Sequence, residues 1–280
     1  MAIQRIISSG STQHPWDCLS FAKAHALGFE IPSWVSPHAW QHFQQTEQAY
    51  AQACEGWQGV KTLHGPVIDM NPVSVDPLIK KVSRERYQRT VELAHRLGVT
   101  TVVFHTQWTP IYSSARIESG WLSSLVDYWQ EFTDTTLKLY PEVTCVIENY
   151  LDPSPELMTT LSQRIARPQV KLCLDIGHVN LFSQIPSTTW LNVMAEELYH
   201  VHCHNNAGDG DDHHAFAHGT VPLEAIFTAL IESPYVYQMV LELFNHDALK
   251  ESYAWLYAWA VQTQLIHHLP LQKPLLQQAS

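Results

Sequence analysis

Histidine and aspartate side chains are concentrated in one glycine-punctuated segment, HVHCHNNAGDGDDHHAFAHG, which runs from residue 200 to residue 219. Imidazole nitrogens and carboxylate oxygens are the usual protein ligands of zinc and other divalent metal ions. The segment therefore predicts a metal site, although a histidine-rich loop can also be solvated surface. We expect that surface class to include mostly His200, His214, His218, His246, His267 and His268.

Metal-competent side chains also end a series of short apolar segments with the composition of β-strands. These segments cover residues 59–64, 98–105, 142–149, 169–178, 198–205 and 237–244. A single histidine or glutamate at a strand end is more often a hydrogen-bonded residue than a ligand, but recurrence across six strands predicts clustered acids that need a cation. The side chains concerned are His64, His105, Glu148, Asp175 with His178, His202 with His204, and Glu242.

Alternation within the strands supports this grouping, because residues two apart in a strand face the same side of the sheet. Asp175 therefore shares a face with Cys173, so that the smaller side chain lies below and the acid lies at the rim. Glu148 shares a face with Val146 in the same way. In the sequence DIGH, a short turn would let Asp175 and His178 approach one centre from two sides.

The strand-like segments alternate with amphipathic stretches of helical length, over residues 84–98, 120–140, 155–166 and 222–233. In the N-terminal quarter, either IQRIIS or GFEIPSW is expected to form the first strand, followed by a helix over about residues 37–56. This alternation predicts a parallel sheet. Because no strand is followed by a glycine-rich nucleotide loop, we predict an α/β protein with a single (β/α)8 TIM-barrel domain over residues 1–280, whose strand ends meet at one rim.

The chain is acidic, with 16 Lys and Arg residues against 27 Asp and Glu residues and a net charge of −11. After Lys171 the only basic side chains are Lys250 and Lys273, apart from histidines. The predicted rim acids therefore have almost no cationic side chain to pair with, which makes a bound metal their natural counter-charge. The same charge opposes binding to nucleic acid, which needs Lys and Arg around the site.

Cysteine usage and hydropathy give expectations about location. The five cysteines are widely spaced, without a CxxC pair and without a signal-like leader, so we expect a reduced, cytoplasmic protein. The segment 252–272 lacks Asp, Glu, Lys and Arg, but glutamines and histidines interrupt it. We therefore expect a buried terminal helix at SYAWLYAWAVQTQLI and no membrane span.

Seven short motifs resemble, in their order, those of the xylose isomerase-like barrel superfamily, which includes sugar isomerases, epimerases and the endonuclease IV branch. They are TLHGP, VVFH, VIEN, LDIGH, HVHCHNN, DDHHAFAHG and LELF, between about residues 59 and 245. The resemblance implies a (β/α)8 barrel and a divalent metal. The ligand set common to isomerases and epimerases would be Glu148, Asp175, His202 and Glu242. The ligands added in the three-zinc endonuclease IV branch would be His64, His105, His178, Asp211 and His213.

Two departures from the family pattern concern the loop that follows these ligands. Where many relatives have His-x-x-Asp-Asn, the chain has an amide, Asn205, and a second histidine, His204. Where relatives have Gly-x-Gly, the chain has Ala217-His218-Gly219, which adds an extra imidazole beside the rim. Both changes leave the implied ligands intact and affect the expected substrate contacts.

Two enzymatic hypotheses follow from the resemblance. In the first, one divalent ion chelates vicinal oxygens of a ketose or related polyol, and Glu148 and Glu242 exchange the proton next to the carbonyl on opposite faces. In the second, two or three ions fill all nine positions and a bridging hydroxide attacks a phosphoester. One ion would be manganese, magnesium or cobalt, and two or three would be zinc. A third hypothesis is a non-catalytic metal-binding barrel.

The acidic surface and the carbohydrate chemistry of the superfamily favour the isomerase or epimerase, whereas the complete ligand set favours a zinc-dependent phosphoester hydrolase. The expected partner is a small, carbohydrate-like substrate, with nucleic acid and membranes disfavoured and a homo-oligomer possible. The number of bound ions would separate the two enzymes. Candidate substrate contacts are His178, His204, Trp108, which could stack on a ligand, and Arg116, the one cation to test for a phosphate-bearing substrate.

Overall fold

Eight parallel strands close into a barrel in a computed structural model that describes residues 3–10, 15–243 and 245–274. Each strand pairs with the next along the chain, and the last pairs with the first. Both N-terminal candidates form strands, and the predicted (β/α)8 barrel is confirmed. The strands are β1 (Ile3–Ser9), β2 (Gly28–Ile31), β3 (Lys61–His64), β4 (Thr101–His105), β5 (Thr144–Glu148), β6 (Val170–Asp175), β7 (Leu198–Cys203) and β8 (Tyr237–Leu241).

Ten α-helices in the described residues connect or follow these strands. The predicted helix over 84–98 begins earlier, because Asp76 caps it by accepting hydrogen bonds from the backbone N–H groups of Leu78 and Ile79. Gly98 ends it with φ of 64°, a conformation that glycine adopts at little cost. The helices are α1 (Pro15–Ala24), α2 (Pro37–Gln41), α3 (Phe43–Ala53), α4 (Pro77–Leu97), α5 (Ala115–Thr135), α6 (Pro155–Ile165), α7 (Ile176–Phe182), α8 (Ser187–Met194), α9 (Leu223–Glu232) and α10 (His246–Gln262).

The terminal helix α10 begins before the predicted helix at 252–266 and ends at Gln262, short of the predicted end, and it is buried on one face only. Tyr253, Leu256 and Trp259 pack into the core, whereas Val261 is 49% exposed. In the described part of the chain, no helix is long and apolar enough to cross a bilayer.

Two apolar layers hold the barrel. The larger one fills the space between strands and helices, with aromatic side chains such as Trp129, Trp190 and Phe227 fully buried. The smaller one lies inside the barrel, where Val103, Val146 and Cys173 form a separate buried cluster. This inner cluster lies beneath the polar side chains of the rim, as the two-residue alternation predicted for Val146 and Cys173.

The strand register brings the rim residues to the same level. His105 of β4 pairs with Glu148 of β5, and Asp175 of β6 pairs with His202 of β7. The carboxyl ends of parallel barrel strands lie at one pole, so side chains from distant parts of the sequence meet there.

Candidate metal centre

Four side chains from consecutive strands surround one point at the carboxyl pole of the barrel. The Nδ1 atom of His202 lies 2.9 Å from Oε2 of Glu242, 3.4 Å from Oε1 of Glu148 and 3.9 Å from Oδ2 of Asp175. Ligand atoms about 2.0–2.2 Å from one zinc ion are separated by roughly such distances. The structure therefore brings together the four residues that the sequence predicted as a common ligand set.

Two histidines, at the ends of β3 and β4, approach the carboxylate of Glu148. Nε2 of His64 and Nε2 of His105 lie 3.3 Å and 3.2 Å from Oε2 of Glu148. These three ligand atoms lie within 4.8 Å of one another, so Glu148 could bridge two ions.

A third group forms where α7 meets the loop after β7. Nε2 of His178 lies 3.4 Å from Oδ2 of Asp211, and Nε2 of His213 lies 3.2 Å from its Oδ1. The sequence predicted a turn at DIGH, but α7 begins there instead, because Asp175 caps it by accepting a hydrogen bond from the backbone N–H of His178. The cap also brings His178 over the centre.

Backbone carbonyls fix the orientation of three of these imidazoles. Nδ1 of His64 donates to the carbonyl of Gly65, Nδ1 of His178 to that of Asn149, and Nδ1 of His213 to that of Glu242. A carbonyl oxygen only accepts, so each ring must carry its proton on Nδ1 and turn Nε2 towards the carboxylates. Such an outer hydrogen bond is the usual device that orients a metal-ligating histidine.

Several buried ligand atoms lack a hydrogen bond of acceptable geometry within the described residues. They face one another across the centre, where four carboxylates meet without a Lys or Arg side chain in the cavity lining. Buried acids need a cation to offset their repulsion, so this donor set fits one or more divalent ions. The atoms are Oε2 of Glu148, Oδ2 of Asp175, Nδ1 of His202, Oδ1 of Asp211 and Oε2 of Glu242.

The pKa values of the buried acids and imidazoles also indicate that positive charge stabilises this site. Burial opposes ionisation of Glu148 and Asp175, but the facing imidazoles outweigh it and hold the pKa of both carboxyls below the usual range. Burial likewise opposes protonation of His178, but the surrounding carboxylates raise its pKa to about 10. Protonated imidazoles thus balance the acids here, and metal binding would release those protons.

Glu30 is a component of the site that the sequence reasoning missed. It lies on β2, is fully buried, and its Oε1 is 3.1 Å from Nε2 of His202. Its Oε2 accepts from Oγ1 of Thr62 at 2.9 Å and lies 3.1 Å from Nε2 of His200. A carboxylate behind His202 fixes the proton on Nε2 and leaves Nδ1 for the centre. The acid inside the apolar sequence GFEIPSW was the available signal.

The prediction that His200 lies on the surface is wrong. It is fully buried inside the barrel, where Nδ1 lies 3.2 Å from Oε1 of Gln238 and Nε2 faces Glu30. His200 precedes His202 by two residues on the same strand, so both side chains lie on the inner face of the barrel. His214 and His218, by contrast, are exposed as expected.

Replacing Glu30 with glutamine is expected to weaken metal binding about 10–100-fold without unfolding the protein. Glutamine has one acceptor oxygen, so its amide group must face Nε2 of either His200 or His202, each of which now lies 3.1 Å from a carboxylate oxygen. The measurement is the metal dissociation constant by competition with a chelator. The control is Glu224→Gln, which changes an exposed acid on α9. A dissociation constant within threefold of wild type in Glu30→Gln would remove this role.

His204 lies beside the centre and does not line the cavity. Its Nε2 lies 3.1 Å from Oδ1 of Asp175, and its ring stacks on that of His213 at 3.7 Å with the planes only 7° apart. Its Nε2 also lies 3.8 Å from Oδ1 of Asp211, so His204 belongs with His178, Asp211 and His213 to a group whose ligand atoms lie within 4.8 Å of one another. A Cβ on Gly177 would lie 2.1 Å from the His204 ring, which explains the glycine in DIGH. This geometry suits a residue that holds Asp175 and His213 in place.

The cavity above the centre has a volume of about 830 Å³. Its lining includes His178 and Trp108, so these two candidate contacts adjoin the ligand cluster. Arg116 lies exposed near the start of α5 and is not among the lining residues. The structure therefore brings together all nine predicted metal ligands, and it leaves Arg116 and His204 outside the cavity wall.

Asp152 ties together two of the loops that form the rim. Its Oδ2 accepts from Oγ1 of Thr106 at 2.8 Å and from the backbone N–H of Tyr150 at 2.9 Å. Burial raises the pKa of this carboxyl to about 6, and the two hydrogen bonds offset only part of that effect.

The raised pKa of Asp152 predicts a specific pH dependence of stability. The folded state binds this proton more tightly than the unfolded chain, whose pKa is about 3.9, so the contribution of Asp152 is lost as the pH rises from about 4 to about 6. Asp152→Asn keeps one acceptor oxygen without the charge. The free energy of unfolding of the variant, measured against wild type in urea with saturating metal, is expected to rise over that window by up to about 3 kcal/mol. Parallel pH profiles of the two proteins would contradict the argument.

Comparisons with known proteins agree with this fold. A sequence model of the family described as xylose isomerase-like TIM barrel matches residues 21–259. The uncharacterized protein MJ1311 of Methanocaldococcus jannaschii is 25% identical over 193 residues, which cover 67% of this chain and 66% of that protein. The chain thus spans just under two thirds of that relative.

Solved structures share the whole architecture. The TTHB071 protein from Thermus thermophilus, in crystals soaked with ZnCl2, has a TM-score of 0.72 at 22% identity, covering 92% of this chain and 99% of that one. An L-ribulose 3-epimerase has a TM-score of 0.73 at 15% identity, covering 94% and 96%. At such identities the likeness establishes the fold alone.

Proposed function

The chain belongs to the xylose isomerase-like TIM barrel family, and from that premise we propose that it is a divalent-metal-dependent isomerase or epimerase of a sugar or sugar derivative. The similarity to an L-ribulose 3-epimerase supports this class of reaction. The observation that carries the proposal is the placement of two glutamates, Glu148 and Glu242, against the same histidine, His202, at the base of a cavity.

The residues that would hold the metal are Glu148, Asp175, His202 and Glu242. A bound divalent ion would polarise the substrate carbonyl and so acidify the neighbouring C–H bond. Asp175 is suited to binding the metal but not to moving a proton. Its Oδ1 already accepts a hydrogen bond from the backbone N–H of His178 at 2.7 Å, while its Oδ2 faces the centre. His202 is likewise fixed, with Glu30 behind it.

The two glutamates are the groups suited to move protons. Glu148 and Glu242 come from β5 and from the residue after β8, on different sides of the barrel mouth, and both line the cavity. One carboxylate would remove the proton from the carbon next to the carbonyl, and the other carboxyl would return a proton to the opposite face. The Nε2 side of His178, which lines the same cavity, would position a substrate hydroxyl.

The proposal is tested by the exchange of substrate protons with solvent. A panel of ketoses is incubated in D2O with protein loaded with manganese, cobalt, magnesium or zinc, and NMR follows deuterium at the carbon next to the carbonyl. Proton transfer by the glutamates predicts metal-dependent deuterium incorporation with at least one ketose. Metal-loaded protein that exchanges no proton in any member of the panel would overturn the proposal.

A second candidate is a multinuclear zinc phosphoesterase. It is favoured by the convergence of all nine candidate ligands in the three groups around Nδ1 of His202, Oε2 of Glu148 and the carboxylate of Asp211. Metal analysis separates the two candidates, since one ion per chain supports the isomerase or epimerase and two or three zinc ions support the hydrolase. Zinc-dependent cleavage of a phosphoester, with no proton exchange in ketoses, would favour the second candidate.

A further inference from the structure

One wall of the cavity carries six apolar side chains, with the polar side chains of Asp69, Gln107, Thr109 and Tyr150 among them. It is built from the loops after β2, β3, β4 and β5, whereas the polar floor comes from the strand ends and from the loop after β7. Ile68 on this wall is 58% exposed, so the apolar surface continues from the floor out to solvent. The apolar side chains of this wall are Pro32, Val35, Val67, Ile68, Trp108 and Leu151.

Hydrogen bonds between the loops hold this wall in place. Nε2 of Gln107 donates to the carbonyl of Val67, which joins the loops after β3 and β4. Oγ1 of Thr106 accepts from the backbone N–H of Trp108 at 3.2 Å and donates to Asp152, which joins the loops after β4 and β5. The apolar surface therefore belongs to a pre-formed binding site.

The cavity is larger than a free sugar requires. Its volume of about 830 Å³ is near the upper end of the roughly 300–1,000 Å³ typical of pockets for drug-sized ligands. A six-carbon sugar bound at the ligand cluster would leave the apolar wall in contact with water. Covering that wall with an apolar group would be favourable at about 25 cal/mol per Å² of buried apolar surface.

The charged side chains of the described lining disfavour an anionic group in the part of the cavity away from the metal ligands. Its lining contains four carboxylates, Asp69, Glu148, Asp211 and Glu242, and no Lys or Arg. Residues 11–14 and 244 lie outside the described residues, and none of them is Lys or Arg in the sequence. The cavity wall thus offers no cationic side chain that could hold a phosphate far from the metal ligands.

Resting on the proposed function, we infer that the substrate is an uncharged α-hydroxy ketone with an apolar group at the end distant from the reacting carbons. The hydroxy ketone end lies on the floor, where Glu148 and Glu242 can reach it. The apolar group packs against Ile68, Trp108 and Leu151. The reaction itself is unchanged. In an epimerase, one C–H proton is removed and one is returned to the opposite face of the same carbon; in an isomerase, a proton is returned to the neighbouring carbon and an O–H proton moves between the two oxygens.

Three compounds test this substrate class against other ketoses: a free ketohexose, its terminal phosphate ester and its terminal benzyl ether. Deuterium incorporation at the carbon next to the carbonyl gives kcat/KM for each with metal-loaded wild type. The benzyl ether is expected to exceed the free sugar on the order of tenfold or more, through burial of its ring. The phosphate is expected to be the poorest of the three.

A pair of matched variants tests where the benzyl group binds. Ile68→Ser, on the cavity wall, is expected to reduce the preference for the benzyl ether over the free sugar at least threefold. Ile111→Ser, which changes another exposed isoleucine outside the cavity lining, is expected to leave that preference unchanged. Equal kcat/KM for the benzyl ether and the free sugar, a preference for the phosphate, or an equal loss of preference in both variants would overturn the inference.

The outcomes separate this inference from the proposed function. Exchange with all three ketoses at similar rates would retain an isomerase or epimerase and remove the apolar substrate class. Absence of exchange in every compound would remove the proposed function. In that case, binding of the non-reactive benzyl ether of the corresponding hexitol, measured by calorimetry with metal-loaded protein, would still test the apolar wall. No preference over the unsubstituted hexitol would overturn the inference there also.

Discussion

Glu242→Gln is expected to reduce solvent proton exchange about 10²–10⁴-fold, the range typical of losing a general acid or base. Glutamine keeps the size of the side chain and an oxygen that can face the metal, but it cannot take up the substrate proton. The Glu242 side chain is 14% exposed and lines the cavity, so a substrate bound in the cavity would lie within its reach. The measurement is the rate of deuterium incorporation with metal content checked in each sample.

The control for this variant is Glu224→Gln, an isosteric change at an exposed acid on α9, for which a wild-type rate is expected. Glu148→Gln should lose metal as well as activity, because the Glu148 carboxylate faces His64, His105 and His202. A rate within threefold of wild type in metal-loaded Glu242→Gln would show that this carboxylate moves no proton.

Removing the metal is expected to lower the melting temperature of wild type by about 10 °C. A ligand present at 1,000 times its dissociation constant stabilises the folded state by about 4 kcal/mol, and each kcal/mol shifts the melting temperature of a protein approaching this size by roughly 2–4 °C. Asp175→Asn should lose at least half of this shift. The shift should also shrink as the pH falls towards 5, because protons and metal compete for the same imidazoles.

Differential scanning fluorimetry of chelator-treated and metal-restored protein measures this effect. The treatment must be reversible, so that restored protein melts at the original temperature. Melting temperatures of the two forms within 2 °C of each other would contradict a role for bound cations in holding the buried acids together.

The metal-competent residues at the strand ends could be placed from the sequence, although the predicted segments 169–178, 198–205 and 237–244 extend beyond the ends of β6, β7 and β8. The reason is that parallel barrel strands have a fixed polarity, which sends His105, Glu148 and Asp175 to one pole wherever the helices lie. The two-residue alternation of a strand also placed Val146 and Cys173 beneath them. These features depend on local patterns and on one topological rule.

Features that depend on tertiary contacts could not be predicted from local sequence patterns. The hydrogen bonds from His64 to Gly65 and from His213 to Glu242 involve backbone carbonyls, which the sequence does not distinguish. The apolar cavity wall joins loops from four strands. Glu30 and His200 are different, because an acid in an apolar strand and a histidine two residues before His202 were signals in the sequence itself.

The most direct test of the metal centre is anomalous X-ray scattering from crystals grown with the divalent metal that most stabilises the protein. The account predicts a peak about 2.0–2.3 Å from Nδ1 of His202 and from carboxylate oxygens of Glu148, Asp175 and Glu242. Metal-replete crystals with no anomalous peak among these four side chains would contradict it.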